Sequence, residues 1–389
     1  MSKRVYLLNL FKDIADAIRA KTGQTRLYEI DELPDRIMDI STGTTTPAQT
    51  KSVEITSNGN QIITPDDGYV LDKVNLSVSV PQNNRNNVLI ETYSGEGGCL
   101  TRYVETLDLS SIDWSKAISF NECFYNFSLL KSISFPNILC PIGRTDYMFY
   151  GCSSLISVDI SFLQGTITSS KMFANCYALK SITFGKTFDL SNLYNNFLYD
   201  IKDMFYNCKS LASIDLSSWI NTNTIKYMER VFSGCSNLKT LNIKTLDTSN
   251  VDSFNNLFED CSKLESLDLS FFDTSKARYM DSMFRGCDSL GSLNLSSWNT
   301  NNVTSMRNMF SRNNKEGYNV TFGTNWASNE KLMSFDMSNW NLTHDSALDL
   351  LNKLATRTNS PTLKLHANIK ALLTADEIKI ATDKGWVVS

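Results

Sequence analysis

The chain has 389 residues, enough for two or three domains at about 150 residues each, and 37 basic against 41 acidic side chains leave a formal charge of −4. That balance excludes general electrostatic attraction to nucleic acid or an anionic membrane as the main mode of partnering. With 17 Gly and 7 Pro the chain is neither collagen-like nor a Pro/Gly-rich disordered polymer, and with only His344 and His366 the commonest general base and metal ligand is nearly absent.

Leu7, Phe11, Ile14 and Ile18 share one helical face ahead of a Thr22-Gly23 stop, and a second helix is expected near Pro34 with Ile37 and Ile40 on one side. Lys3, Arg4, Lys12, Asp13 and Asp16 interrupt this opening, so neither a cleaved export signal nor an apolar anchor is expected. Residues 1–42 read as a helical attachment segment whose apolar face has no partner within so short a stretch, which makes self-association or docking the expectation. Ser41 to Pro47 reads as a linker. Residues 50–81 then alternate, with Val53 and Ile55 followed by Val74, Leu76, Val78 and Val80 around Pro65-Asp-Asp-Gly68, as a small β module. Pro81 to Asn87 separates it from the long central region.

From residue 99 to 343 the chain repeats itself. Met148-Phe149 precedes Cys152 and Leu155; the same spacing returns at Met172-Phe173, Met204-Phe205, Val231-Phe232, Leu257-Phe258 and Met283-Phe284. Degenerate copies lie at Cys123-Phe124 and at Met309-Phe310, where Asn313 takes the cysteine place. Ten short alternating segments begin at Leu107, Ile133, Val158, Ile182, Ile214, Leu241, Leu267, Leu293, Phe335 and Leu363, at intervals of 26, 25, 24, 32, 27, 26, 26, 42 and 28 residues. Each predicts a strand. Between strands, Met280, Met283, Phe284, Cys287 and Leu290 fall on one helical face after Asp273-Thr-Ser275, which predicts a short helix. The expected fold class is an α/β repeat, a right-handed leucine-rich-repeat solenoid of short parallel strands and short helices, in which stacking completes each unit's core.

The nine cysteines contain no CxxC, and six sit at equivalent repeat positions beside Phe and Leu, where a small buried hydrophobe is wanted. Met at its repeat positions reads as core filler. The middle strand residue is Asp at 108, 159, 215, 268 and 336 and Asn at 242 and 294. Strand alternation turns this row away from the core, either as a solvated hydrogen-bonded face or as a Ca²⁺ or ligand row. No cofactor, resident metal or catalytic group is expected.

Two repeats are expanded. Gly185 to Ile201 carries Phe188, Tyr194, Phe197 and Tyr199, and Ser311 to Glu330 carries Tyr318, Phe322 and Trp326. Insertions in solenoids map to loops, and Tyr or Trp among Asn, Ser and Gly is contact chemistry, so Tyr194, Phe197, Tyr199, Tyr318 and Trp326 are candidate ligand contacts. The alternative is that they plug gaps in irregular repeats. Residues 344–389 read as a terminal cap, with a helix from Ser346 to Leu354, a Thr374 to Glu377 capping box and a Gly385 stop.

The unit Leu-x-Ser-Leu-Asp-Leu-Ser, then Trp or Phe, Asp/Asn-Thr-Ser/Asn-Asn-Val and Met-x-x-Met-Phe-x-x-Cys-x-x-Leu, is clearest from Leu264 to Phe310. It resembles the BspA-type leucine-rich repeats of bacterial surface proteins and bacteriophage genomes, over roughly residues 107 to 343. Phe11 to Gly23 with Glu32 to Ile37 resembles the N-terminal segment of bacteriophage tail-fibre and appendage proteins, Ile63 to Val78 a small repeat of phage tail proteins, and Leu373 to Trp386 the closing element of phage proteins that carry these repeats. These resemblances imply a virion structural protein: assembled in the host cytoplasm, held to other virion proteins through residues 1–42, self-associating, and displaying the solenoid to a host surface glycan or protein. A bacterial adhesin with the same repeats, a purely structural virion subunit and a glycan-cleaving tailspike are the alternatives. The tailspike needs a carboxylate pair that no sequence feature singles out.

Overall fold

The computed structural model describes residues 48–56, 70–79, 105–110, 120–137, 139, 143–190 and 199–389. The helices expected at Leu7 to Ile18 and near Pro34, and the linkers 41–47 and 81–87, lie outside the described residues, as do Cys99 and Cys140. Two units are present: residues 1–166 with 175–186, and residues 167–174 with 187–389.

In the first unit, strands Ala48–Thr56, Val70–Ser79, Thr106–Asp108 and Ser132–Ser134 form one sheet in sequence order. All neighbours are parallel, with Val74 opposite Leu107 and Leu107 opposite Ile133. Ser157–Asp159 pairs in parallel with Ser181–Thr183. In the second unit, Ser213–Asp215 pairs in parallel with Thr240–Asn242, and Ser334–Met337 with Thr362–Leu365, which in turn receives Val387–Val388. The three-residue strands follow a polar-apolar-polar pattern: Ser157 exposed, Val158 buried, Asp159 exposed. They begin one residue earlier than the alternation predicts, and the Leu267 to Leu269 segment carries no strand although both leucines are buried.

The short helix expected between strands is absent; the Met-Phe-Cys-Leu segments are runs of turns. In the second unit Asn256, Phe258 and Asp260 each donate the backbone N–H forward to the next coil, to Asp281, Met283 and Arg285 oxygens at 2.8, 2.9 and 2.7 Å. The intervening Glu259 and Cys261 donate backward to Asn256 and Phe258 within their own coil. An α-helix needs every N–H bonded four residues back and every φ near −60°. Here Asn256, Asp260, Ser282 and Gly286 have φ of 57°, 56°, 55° and 71°, so every fourth residue is left-handed and the helical ladder cannot form. Bonds to the third residue back still turn the chain about once in three residues, which explains why the apolar spacing imitates a helix. The first unit repeats this device, with Glu122 and Asn126 left-handed and Phe124 N–H donating to Met148 O at 2.9 Å.

Stacked phenylalanines run through the core. In the second unit Phe173, Phe205, Phe232, Phe258, Phe284 and Phe310 succeed one another at centroid separations of 5.8, 5.6, 5.7, 5.9 and 5.6 Å with nearly parallel rings, and Phe310 ends against Trp340 at 3.8 Å. Phe124 and Phe149 stack at 5.2 Å in the first unit. Such stacking adds about 0.5–1.5 kcal/mol per pair beyond area burial. Beside the rings, the seven described cysteines are free thiols and fully buried. Cys152 and Cys176 donate S–H to the Phe124 and Phe149 carbonyls at 3.0 Å in the first unit. Cys208, Cys235, Cys261 and Cys287 reach the Phe173, Phe205, Phe232 and Phe258 carbonyls in the second, at 3.1 to 3.3 Å. Burial pushes the Cys235 thiol up to about 12 and raises those of Cys152, Cys176, Cys261 and Cys287.

The 42-residue interval is not a loop-bearing repeat. Asn313–Thr321 is a strand whose Val320 lies opposite Leu293, 27 residues earlier, and whose Tyr318 lies opposite Leu342. The segment therefore supplies a coil of its own. Beyond it lie helices His344–Lys353, Ala367–Leu372 and Ala375–Asp383. Thr343 caps the first, and Thr374 and Glu377 form a reciprocal capping box on the last. None of the described helices is long and apolar enough to cross a membrane.

Candidate functional site: a cationic groove along the second unit

Four segments of the second unit align column by column: Asn221 to Met228, Asp247 to Phe254, Asp273 to Met280 and Asn299 to Met306. Their second column, Thr222, Thr248, Thr274 and Thr300, is buried. Each of these hydroxyls accepts a backbone N–H from the next coil, from Asp247, Asp273, Asn299 and Ala327 at 2.8 to 2.9 Å. Parallel bridges Tyr227 to Ser253, Ser253 to Tyr279 and Tyr279 to Ser305 fix the register. With the backbone so aligned, columns four and six carry exposed or half-buried side chains, apart from the buried Asp252. They carry Asn250, Lys276 and Asn302 in one and Lys226, Asp252, Arg278 and Thr304 in the other.

These residues, with Asn329 and Lys331, line a groove of about 430 Å³. Asp252, 7% exposed, takes Arg278 in a bidentate pair, Nε and Nη2 each at 2.5 Å, which holds the guanidinium and raises its pKa further. Asn250 Nδ2 donates to the Asn223 carbonyl at 2.8 Å, while its Oδ1 accepts Lys276 Nζ. Asn302 and Asn329 are tied to the Ser275 and Asn301 carbonyls at 2.6 and 3.1 Å, and Thr304 to the Arg278 carbonyl at 3.0 Å. Among the described residues, neither Lys226 nor Lys331 has a carboxylate within salt-bridge distance. Four cations and one carboxylate give the lining a net charge of +3 in a chain of −4.

The residues singled out in the sequence lie elsewhere. Tyr194 and Phe197 are outside the described residues, and Tyr199 opens a two-residue strand whose backbone pairs with Ile225. Tyr318 and Trp326 are 1% and 0% exposed. Tyr318 packs on Trp340 at 5.1 Å, and Trp326 lies between Phe322 and Phe335 at 5.1 and 6.2 Å. Both are core side chains: Tyr318 and Val320 lie on the buried face of the strand Asn313–Thr321, and Trp326 is buried beyond its end. The gap-filling alternative describes them.

The Asp row closes the turns that follow the short segments. Asp108, Asp159, Asp215, Asp268 and Asp336 each accept the backbone N–H two residues on, at 2.8 to 3.1 Å. Asn242 Nδ2 bonds Asp215 across coils at 2.9 Å. Hydrogen bonds from Ser217 and Ser270 hold Asp215 and Asp268 below the usual carboxylate range. Among the described residues no three His, Cys, Asp or Glu side chains gather as a metal set. In the first unit the half-buried Tyr125, Tyr147 and Tyr150 form a surface aromatic cluster, Tyr125 and Tyr150 stacking at 4.9 Å.

The groove escaped the sequence reading because its cations stand one or two per repeat and never cluster along the chain. Stacking the four segments in register was the available signal.

The repeat family model agrees with the coils. The BspA type leucine rich repeat region matches residues 103–202 in six copies. A family described as a Mycoplasma protein of unknown function, DUF285, matches residues 199–326 and 294–362. Among solved structures, a leucine-rich repeat protein from Bacteroides ovatus is similar at 16% identity and a TM-score of 0.31, covering 87% of this chain and 92% of that chain. No curated protein matches. Residues 103–202 thus match BspA-type leucine-rich repeats.

Proposed function

We propose that the protein is an attachment protein without catalytic activity, displaying its coils to a cell surface, and that a bacteriophage particle carries it through residues 1–42. The observation that carries the attachment reading is the solvent-open cationic groove built across consecutive coils of an acidic chain. Asp215 and Asp268 support a non-enzymatic role, since hydrogen bonds from Ser217 and Ser270 hold them as turn acceptors below the usual carboxylate range instead of poised near neutrality. The particle assignment is supported by the resemblance of Phe11 to Gly23 to phage fibre and appendage segments, and of Leu373 to Trp386 to the closing element of phage proteins with these repeats.

A second reading is favoured by the match to a family of Mycoplasma proteins, namely a repeat protein displayed by a bacterial cell itself. Adsorption of the purified full chain to candidate host cells tests attachment, and mass spectrometry of purified particles tests the carrier. Absence of adsorption from every strain sinks the attachment reading. Recovery of the chain from bacterial envelopes and not from particles moves it to the second.

A further inference from the structure

We propose that the groove along Lys226, Lys276, Arg278 and Lys331 binds a linear anionic glycan, a polysaccharide with carboxylate, sulfate or phosphodiester charges at regular intervals. The proposal rests on the attachment reading and names the ligand class of that surface.

Three of the four cations stand in line, with Lys276 to one side in column four. Lys226 and Arg278 occupy one column two coils apart, and Lys331 comes next, on the coil whose Asn329 bonds Asn301. Paired parallel strands lie about 4.8 Å apart, so alternate coils present positive charge roughly every 10 Å along a straight line. A small monoanion calls for cations that converge on a point. A line of separated cations matches an extended polymer whose charge recurs every sugar or two. The lining's net charge of +3 stands against −4 for the whole chain, and screening beyond about 8 to 10 Å leaves the local sign in command.

The neutral groups between the cations give the polymer its second character. Asn250, Asn302, Asn329 and Thr304 are each tied by a hydrogen bond to the coil before, so their remaining donors and acceptors hold a set direction. Amide and hydroxyl groups spaced between cations suit a ligand with hydroxyls between anions. Arg278 is likewise immobilised by Asp252. Binding to groups already ordered loses less side-chain entropy.

The test uses the full chain and five polymers: polygalacturonate, dextran sulfate, glycerol-phosphate teichoic acid, neutral dextran and double-stranded DNA. Two triple variants change the charge equally: Lys226→Glu, Lys276→Glu, Lys331→Glu in the groove, and Lys209→Glu, Lys239→Glu, Lys263→Glu at exposed positions away from it. Wild type is expected to bind at least one anionic glycan about tenfold or more tighter than dextran and DNA, with affinity falling as salt rises. The groove variant should lose about tenfold, the other variant little. Which of the three glycans wins identifies the anion.

Equal loss in both variants, or DNA binding as tight as the best glycan, would mean unspecific charge and overturn the proposal. So would no binding to any polymer. If the groove variant does not fold, the matching Lys→Gln variant is read the same way. Cell adsorption that survives the groove variant removes the glycan proposal and leaves attachment standing, whereas no adsorption by wild type removes attachment itself.

Discussion

Cys261 Sγ lies 3.1 Å from the carbonyl oxygen of Phe232, one coil earlier, and that oxygen also accepts the backbone N–H of Cys235 at 3.1 Å. One carbonyl thus joins a turn within its coil to the thiol of the next. Rapid labelling of Cys208, Cys235 or Cys261 by a thiol reagent in the folded protein contradicts this arrangement; labelling only after denaturation is expected.

The same burial makes stability fall in alkali. A thiol ionises at about 8.5 in an unfolded chain, whereas Cys235 stays protonated to about 12 in the fold. Between those values the unfolded state binds fewer protons, so stability decreases as pH rises, by about 1.4 kcal/mol per pH unit for each such thiol. Denaturation from pH 7 to 10.5 should show this slope, and Cys235→Ala should flatten it by one thiol while lowering stability at pH 7. An unchanged slope in the variant refutes the assignment.

Phe284→Ala removes a ring stacked between Phe258 and Phe310 and should cost about 3–5 kcal/mol in chemical denaturation. Leu267→Ala belongs to the same class, at about 2–5 kcal/mol. Asp268→Ala loses an exposed turn bonded to Ser270, with Lys244 3.3 Å away, and should cost under about 1 kcal/mol. Because Asp268 is held below its usual range, its small contribution is present at neutral pH and is lost as pH falls through that lowered value. The reverse ranking of core and row would mean that the faces are misassigned.

Gly234 has φ of 76°, and a Cβ there would stand 2.3 Å from Asn207 Oδ1 on the preceding coil. Gly234→Ala should therefore destabilise by more than about 1 kcal/mol, the usual left-handed penalty for a side chain, because the clash adds to the strain. Asn207→Ala carries its own left-handed penalty at φ of 59° but removes the clashing oxygen, so the two changes together should cost less than the sum of each alone. A double-mutant cycle with no coupling would separate the two positions.

Trp326→Ala and Tyr318→Ala are expected to act through stability, at about 3–5 kcal/mol for the tryptophan. Ligand or cell binding per folded molecule should stay at the wild-type level. Selective loss of binding by a fully stable Trp326 variant would restore the surface role that burial denies it.

Much of the coil was legible because Phe, Cys and Leu recur at a constant interval, and a period needs no knowledge of dihedral angles. The turn geometry was legible too, though unread: the residue before each repeat cysteine is Gly151, Asn175, Asn207, Gly234, Asp260 or Gly286, the residue types that tolerate positive φ. A helix assigned from apolar spacing alone ignores that signal. In the second insertion the alternation of Tyr318, Val320 and Phe322 announces a buried strand, yet aromatic content among Asn and Gly drew attention to the surface. The groove depended on lateral registration between repeats, a relation that local windows do not contain.

The helix His344–Lys353 closes the backbone beside it. Ser346 Oγ accepts the Val320 N–H and Asp349 Oδ2 accepts the Phe322 N–H, both at 2.8 Å, in place of the carbonyls that another coil would offer. Exposed strand edges are templates for joining chains end to end. Here two side-chain oxygens occupy the donors that such an edge would present at Val320 and Phe322, while the sheet itself continues from Ser334–Met337 through Thr362–Leu365 to Val387–Val388.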